Sequence, residues 1–254
     1  MKIWTIILIL FVTSSILEGQ NLDEILKKHF DAVGMEYLRK VQTIQYKGNQ
    51  VLNYLENVGY KVPEDLLKPK FILSVEKGKG YRLQLFGEIG DMATGFFEGN
   101  YWKNQNGNVT ENWNPIEIDR RIIQQEFDLE GYLFNWEKKG CKVAKLENAT
   151  MKNKNYYKIR LTTPGNDTIW FYIDPKNNLI SFKSFGGDLS DGKKYPSVEF
   201  QNYKKVENIN IPFKRIQTEL MLNGSYGEKD ILISEVQINP KFDSDIFRPL
   251  FKYP

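Results

Sequence analysis

The side chains that most often do chemistry are scarce in this 254-residue chain, which has one histidine, His29, and one cysteine, Cys141. Because His29 is the only histidine, zinc sites, Cys-His dyads and Ser-His-Asp triads are all poorly supported. A single cysteine forms no internal disulfide, and its thiol is reactive only where its surroundings lower the pKa. We therefore interpret Cys141 as an ordinary packed or surface residue, and we expect no metal and no other cofactor.

Carboxylates are the remaining candidates for catalysis, and Asp188 and Asp191 lie close together in a glycine-rich loop. Paired carboxylates act as acid and base in glycoside hydrolases, and carboxylate oxygens also bind calcium. The spacing matches no calcium loop, and the segment lies between predicted strands, so a solvated hairpin loop is the favoured interpretation. We expect no enzyme, and a carboxylate-based hydrolase is the less favoured alternative.

The charge distribution argues against a nucleic-acid partner. The 35 basic and 32 acidic residues are spread along the chain and give a net charge of +3. No dense basic patch is visible, although such a patch is the usual mark of a nucleic-acid-binding surface. The same balance gives no strong case for binding to an anionic membrane surface.

Residues 1–19 predict a secretory signal peptide. Lys2 precedes an apolar run at residues 3–12, and small polar residues follow this run. The run is shorter than the roughly 20 residues of a comfortable membrane span, so we expect cleavage near Gly19. An uncleaved N-terminal anchor is the alternative. No cysteine follows the apolar run, so we expect an exported protein without a lipid anchor.

Two helices are predicted from capping signals. Asn21 and Glu24 form a capping box that opens the first helix, and Gly34 ends it. His29 falls on the apolar stripe of this helix, which favours a packed core histidine. The second predicted helix has Asn114 as its N-cap and ends near Gly131.

The rest of the chain has the alternating pattern of strands, joined by short links with turn residues. We count about ten to eleven strands and see no βαβ alternation. A sheet of this size must curl or close. The pattern predicts an α+β, mainly β fold, in which one antiparallel sheet curls and two or three helices cover its open side. No linker is apparent, so we expect a single domain over residues 20–254.

Six segments in order resemble the LolA/LolB-like superfamily of periplasmic outer-membrane lipoprotein carriers, in the divergent form common among exported proteins of Bacteroidota. The resemblance covers nearly the whole mature chain. The segments are AVG (32–34) with YLRKVQTIQYKG (37–48), FFEGNYWK (96–103), FDLEGYLFNWEKKGCKV (127–143), YYKIRLTTPGNDTIWFYIDPKNNLI (156–180), NYKKVENINIPFK (202–214) and INPKFDSDIFRP (238–249).

The resemblance implies an incomplete β-barrel in the periplasm, with lipoprotein acyl chains or other lipid held between sheet and helices. Envelope membrane proteins are a further class of candidate partner, and we expect a monomer. A protein-interaction or sensor module on the same fold is the main alternative. The residues expected to line the apolar cavity are large and lie on inward strand faces and helix stripes: Leu83, Leu85, Trp102, Ile122, Phe127, Ile159, Phe171 and Phe200.

Overall fold

The computed structural model describes residues 21–55, 67–87, 90–114, 128–221, 223–243 and 245–249. These residues form two α-helices and fourteen strands. The helices are α1 (Leu22–Val33) and α2 (Met35–Leu38). The strands are β1 (Thr43–Val51), β2 (Lys70–Glu76), β3 (Gly80–Phe86), β4 (Met92–Phe97), β5 (Asn100–Gln105), β6 (Asn108–Glu111), β7 (Lys142–Lys145), β8 (Ala149–Met151), β9 (Lys154–Thr162), β10 (Thr168–Ile173), β11 (Ile180–Phe185), β12 (Ser197–Val206), β13 (Ile209–Leu220) and β14 (Tyr226–Ile238).

The strands form one antiparallel sheet in which the last strand joins the two halves. Its order is β6-β5-β4-β3-β2-β1-β14-β13-β12-β11-β10-β9-β7, and β8 pairs with β9 beside this path. Neighbours in sequence are almost always neighbours in the sheet, as short hairpin links require. Within the described residues β6 and β7 do not pair with each other, so the sheet stays open. The predicted fold class is confirmed.

The sheet has more strands than the ten to eleven expected from the sequence, and the missed strands are short. All four residues of β6 are exposed, and β8 has only three residues. A strand this short or this exposed leaves no alternation of polar and apolar residues to detect. The predicted short links with turn residues form hairpins, including those from β2 to β3 and from β13 to β14.

The seam between the halves of the sheet is unusually close at Gly48 on β1. A Cβ atom at this position would lie 1.9 Å from the carbonyl oxygen of Leu232 on β14. The pairing of the two strands shifts register between Lys47 and Gly48, which marks a bulge. Along β1 the alternation of buried residues nevertheless continues from Ile44 to Gln50. The glycine therefore keeps β1 in contact with β14 while Gln50 still reaches the inner face.

Helix α1 begins and ends where the capping residues predict. The side chain of Asn21 accepts a hydrogen bond from the amide of Glu24 at 2.8 Å, and Gly34 ends the helix in a left-handed conformation. Ile25 and Leu26 are buried in an apolar cluster with residues of β9 and β10. The helix therefore covers one half of the inner face, which leaves the other half for a cavity.

The inner face of the other half carries a second apolar cluster, formed by alternate residues of β1, β2, β3, β13 and β14. The inner face is the face of the sheet that carries the side chain of Tyr46, a residue of the central strand β1. Side chains of successive residues point to opposite faces of a strand, so one face of each strand contributes to the cluster. The buried residues of this cluster are Val41, Ile44, Tyr46, Phe71, Leu73, Val75, Tyr81, Ile209, Ile211, Phe213 and Ile233.

The outer face of β3 to β5 is covered by residues 245–249 near the end of the chain. Phe247 is 1% exposed, and its carbonyl oxygen accepts a hydrogen bond from the indole of Trp102 at 2.8 Å. Arg82 donates to the carbonyls of Ile246 and Arg248, and Asn104 donates to that of Pro249. Donors from two strands thus fix this segment on the sheet and bury the side of the wall that faces away from the cavity.

Two predicted segments lie outside the described residues: the signal peptide, and residues 115–127 of the second predicted helix. Among the helices that the structure describes, none has the length and apolar character needed to cross a membrane.

Candidate functional site

The candidate site is a cavity of about 270 Å³ on the inner face of the sheet. Its volume is close to the lower end of the range for ligand pockets, which is roughly 300–1,000 Å³. The described lining residues come from β1 to β5, from β13 and β14, and from Trp113 after β6. The cavity therefore spans the seam between the first strands of the chain and the last.

One side of the cavity is apolar. It is formed by alternate residues of β2, β3 and β4, whose opposite neighbours face the outer side of the sheet. Phe71 pairs with Leu85 across the β2–β3 hairpin, and Leu73 pairs with Leu83. The apolar residues on this side are Phe71, Leu73, Tyr81, Leu83, Leu85 and Met92.

The other side of the cavity is formed mainly by β13 and β14, with Gln50 from β1, and it combines charged and amide side chains with Ile231 and Ile233 of β14. Arg215, Gln217 and Glu219 occupy alternate positions of β13 and therefore share one face. Lys229 of β14 pairs with Gln217, and its ammonium group lies 2.7 Å from the carboxylate of Glu219. The site is therefore divided between a hydrocarbon side and a side rich in charge and amide groups.

A second cavity, of about 220 Å³, adjoins the first beneath α1. Both cavities are lined by Tyr46 and Arg215, and the guanidinium carbon of Arg215 lies 5.4 Å from the centroid of the Tyr46 ring. This geometry is that of a cation–π contact. The stacked pair therefore stands where the two cavities meet, and Phe200 of β12 lies in the lining of the second cavity.

The structure describes six of the eight residues expected to line the cavity and places them in four different environments. Leu83 and Leu85 line the first cavity, and Phe200 lines the second. Ile159 and Phe171 pack in the apolar cluster beneath α1. The remaining three are Trp102, which packs on the outer face against the C-terminal segment, and Ile122 and Phe127, which lie outside the described residues.

Several lining residues were missed by the sequence reasoning. The apolar ones, such as Phe71 and Leu73, lie in register with Leu83 and Leu85, so the hairpin pattern could have found them. Gln50, Arg215 and Gln217 gave no such signal, because polar residues at inward positions look like ordinary interruptions of the apolar pattern. Their approach to one another depends on the pairing of β1, β13 and β14.

His29 is a packed core histidine, as the helical stripe predicts. It is 5% exposed, and its Nδ1 atom lies 2.9 Å from the carbonyl oxygen of Asn178. Burial lowers the pKa of His29 to about 4, although the hydrogen bond to Asn178 partly opposes this shift. The imidazole is therefore neutral at neutral pH and anchors α1 to the turn before β11.

Asp188 holds the glycine-rich loop onto the outer face of the sheet. Its carboxylate accepts hydrogen bonds from the ammonium of Lys158 and the hydroxyl of Tyr172, each at 2.8 Å, and from Ser190. Burial alone would raise the pKa of Asp188, but these hydrogen bonds outweigh it and lower the pKa to about 2. A general acid needs the opposite shift, so Asp188 is unsuited to that role at neutral pH.

The other candidate groups are engaged in local structure. Asp191 accepts hydrogen bonds from the amide of Lys193 and the hydroxyl of Tyr195 within the same loop. The loop is thus more ordered than the solvated hairpin expected from the sequence. Cys141 is buried, and burial raises the pKa of its thiol. In the described part of the chain, no three His, Cys, Asp or Glu residues are grouped so as to hold a metal ion.

Comparison with known proteins finds similarity among solved structures but none among family models or curated proteins. No family model matches the chain, and no curated protein matches it. Among solved structures, a LolA superfamily protein from Nitrosomonas europaea is similar with a TM-score of 0.56 and 9% sequence identity, over 90% of this chain and 98% of that chain.

Two further structures are similar to the same extent. One is a DUF1329 family protein from Desulfovibrio piger, with a TM-score of 0.57 and 11% identity over 88% of this chain and 97% of that chain. The other is a domain assigned to outer membrane lipoprotein sorting from Vibrio parahaemolyticus, with a TM-score of 0.53 and 9% identity over 87% and 97%. The resemblance inferred from the sequence is thus confirmed at the level of the backbone, and this chain has the fold of the LolA superfamily.

Proposed function

We propose that this protein is a non-enzymatic carrier or chaperone, exported to the periplasm, that holds the acyl chains of lipids or lipoproteins in the cavity on the inner face. The observation that carries the proposal is the apolar side of the cavity, built from β2, β3 and β4. A carrier needs such a concavity and no reacting groups. The fold is compatible with this function but does not determine it.

The size of the cavity sets the length of chain that it holds. If a methylene takes about the volume of a water molecule in the liquid, roughly 30 Å³, then 270 Å³ holds on the order of nine methylenes. Each buried methylene contributes about 0.8 kcal/mol to binding, so about nine of them contribute on the order of 7 kcal/mol before the cost of association is subtracted. This is sufficient for reversible binding, and a transferring carrier needs its ligand to leave.

The proposal includes the other expectations for the chain. Residues 1–19 act as a cleaved signal peptide, and residues 20–254 form one domain that works as a monomer. The alternative function, a protein-interaction or sensor module on the same fold, would need no open cavity. Whether the cavity of the native protein holds lipid therefore distinguishes the two functions.

The first test is native mass spectrometry of the protein purified from its own cell envelope. We expect co-purified lipid or lipoprotein. A purified protein free of lipid that also fails to bind the apolar fluorophore N-phenyl-1-naphthylamine would refute the carrier function and favour the interaction module.

A pair of matched variants links this binding to the cavity. Leu83→Trp places a larger side chain in the lining, whereas Leu232→Trp makes the same change at an exposed position of β14. We expect the first variant to lose most of the bound fluorophore and the second to bind it as the wild type does. Equal binding by both variants would mean that the ligand is held elsewhere.

A further inference from the structure

Two side-chain amides face the cavity and have no hydrogen-bond partner among the described residues. Gln50 is 6% exposed and Gln217 is 8% exposed, and both line the cavity. Within the part of the chain that the structure describes, neither side-chain amide makes a hydrogen bond. Buried polar groups in folded proteins nearly always have a partner, which is a ligand or water where the protein supplies none. The amide atoms of Gln50 and Gln217 are not among the fully enclosed side-chain atoms that lack a partner, so they are open to the cavity, where water or the polar group of a bound molecule can pair with them.

The two amides lie on the same part of the sheet. Gln50 pairs with Ile231 across the β1–β14 ladder, and Ile231 pairs with Arg215 across the β13–β14 ladder. Gln217 lies two residues beyond Arg215 on β13 and therefore on the same face. The amides and the guanidinium group thus lie on the same face of β1 and β13, with Ile231 of β14 between Gln50 and Arg215, and each side chain carries N–H donors.

The charge of this region favours an anion. The described lining contains three cationic side chains and one carboxylate, Glu219, which is already 2.7 Å from Lys229. Lys103 lies across the cavity on β5. Hydrogen bonds from charged or amide donors to an anion are short and strong, particularly where water is excluded. A neutral head group would gain less from the same donors.

The hydrocarbon side of the cavity limits what can accompany this anion. Leu73 lies three strands away from Gln217, and Leu83 and Leu85 lie four strands away, on the same inner face. Neighbouring strands are about 4.8 Å apart, so Gln217 is separated from the three leucines by roughly 14–19 Å along the sheet. This distance suits a molecule with a polar end and a chain of several methylenes.

We propose that the cavity selects an anionic amphiphile with a medium-length chain, whose carboxylate or phosphate head is held by Gln50, Arg215 and Gln217 and whose chain lies against Leu73, Leu83 and Leu85. This inference rests on the proposed function, because it assigns the head group of the ligand whose chain the cavity holds. It adds a requirement for charge that acyl-chain binding alone does not impose.

The test is displacement of N-phenyl-1-naphthylamine from the full mature chain by three ligands of equal chain length: decanoate, decyl phosphate and decan-1-ol. Carboxylates and phosphates are ionised at neutral pH, and the alcohol is neutral. We expect each anion to displace the fluorophore at a concentration about tenfold lower than the alcohol does, because only the anions engage charged donors fully.

Variants test whether the side chains of Gln50 and Gln217 cause the preference for anions over the alcohol. Gln50→Leu and Gln217→Leu replace each amide with an apolar group of similar size, and we expect either change to reduce the tenfold preference to about threefold or less. Gln45→Leu is the matched control, because Gln45 lies on β1 and bonds to Ser74 on the outer face. The control should keep the full preference.

The outcomes separate this inference from the proposed function. Equal displacement by the alcohol and the anions would overturn the head-group assignment while leaving acyl-chain binding intact. Displacement of decanoate by acetate or inorganic phosphate alone, at similar concentrations, would show a site for free anions and would also overturn the amphiphile. Failure of all three ten-carbon ligands to bind would refute the proposed function itself.

Discussion

His29, the only histidine of the chain, makes the free energy of unfolding depend on pH between about pH 4 and 6.5. The pKa of His29 falls from an ordinary value of 6.5 to about 4 because the ring is buried beneath α1. Histidine is the only side chain whose ordinary pKa lies between about 5 and 8. Between the two pKa values the unfolded chain binds a proton that the folded chain excludes. The free energy of unfolding therefore decreases as the pH falls from 6.5 towards 4.

The size of this effect follows from the two pKa values. At pH 7.5 both states are unprotonated at His29, so the residue contributes no pH dependence there. At about pH 5 the unfolded state is almost fully protonated and the folded state is about one-tenth protonated, which corresponds to a loss of about 2 kcal/mol. This is a large fraction of the marginal stability of an ordinary domain.

The assay is urea unfolding followed by tryptophan fluorescence at about pH 7.5, 6.5 and 5, under the linear extrapolation that applies to cooperative transitions. His29→Gln keeps a donor for the carbonyl of Asn178 but does not titrate, so we expect it to lose most of the 2 kcal/mol dependence. Lys27→Gln is the control, because it changes an exposed residue of the same helix. A His29→Gln protein with the same pH dependence as the wild type would refute the assignment.

Two further predictions concern groups outside the cavity. Phe247→Ala should destabilise the protein by about 3–5 kcal/mol, because a buried aromatic ring is removed from a site lined partly by the backbone of Gly80; urea unfolding measures this. Tyr37→Ala, at a residue 46% exposed, should cost less than about 1 kcal/mol, and equal losses would mean that the C-terminal segment does not pack as described. Cys141 should react with iodoacetamide at least about tenfold more slowly in the folded protein than in urea, because it is buried with a raised pKa. Equal rates would contradict its burial.

Much of the fold was accessible from local sequence signals. The capping residues Asn21 and Gly34 define α1, because they satisfy backbone groups at the helix ends whatever lies around them. The same helical spacing placed His29 in the core. Alternation in the β2–β3 hairpin put Leu83 and Leu85 on an inward face, since period two is a property of the strand itself.

The lining of the cavity was only partly accessible, because large apolar residues are buried on both faces of this sheet. Trp102 has the size and polarity expected of a lining residue, yet it lies on the outer face. The residue that covers it, Phe247, is 145 positions away in the chain. Ile159 and Phe171 are likewise inward-facing, but α1 fills the space above them. The hydrophobicity of a residue predicts that it is buried, but it does not predict which part of the protein buries it.

Local sequence features predict a large antiparallel sheet with a capped first helix, because turns, caps and alternation depend on short stretches of the chain. The sequence also shows that this chain supplies one histidine and one cysteine, and therefore no pair of either. The position of the open cavity and the identity of the polar groups that face it depend on the tertiary structure. Gln50 and Gln217 are brought together because the last strand pairs with the first, and such long-range pairing leaves no mark on either segment alone.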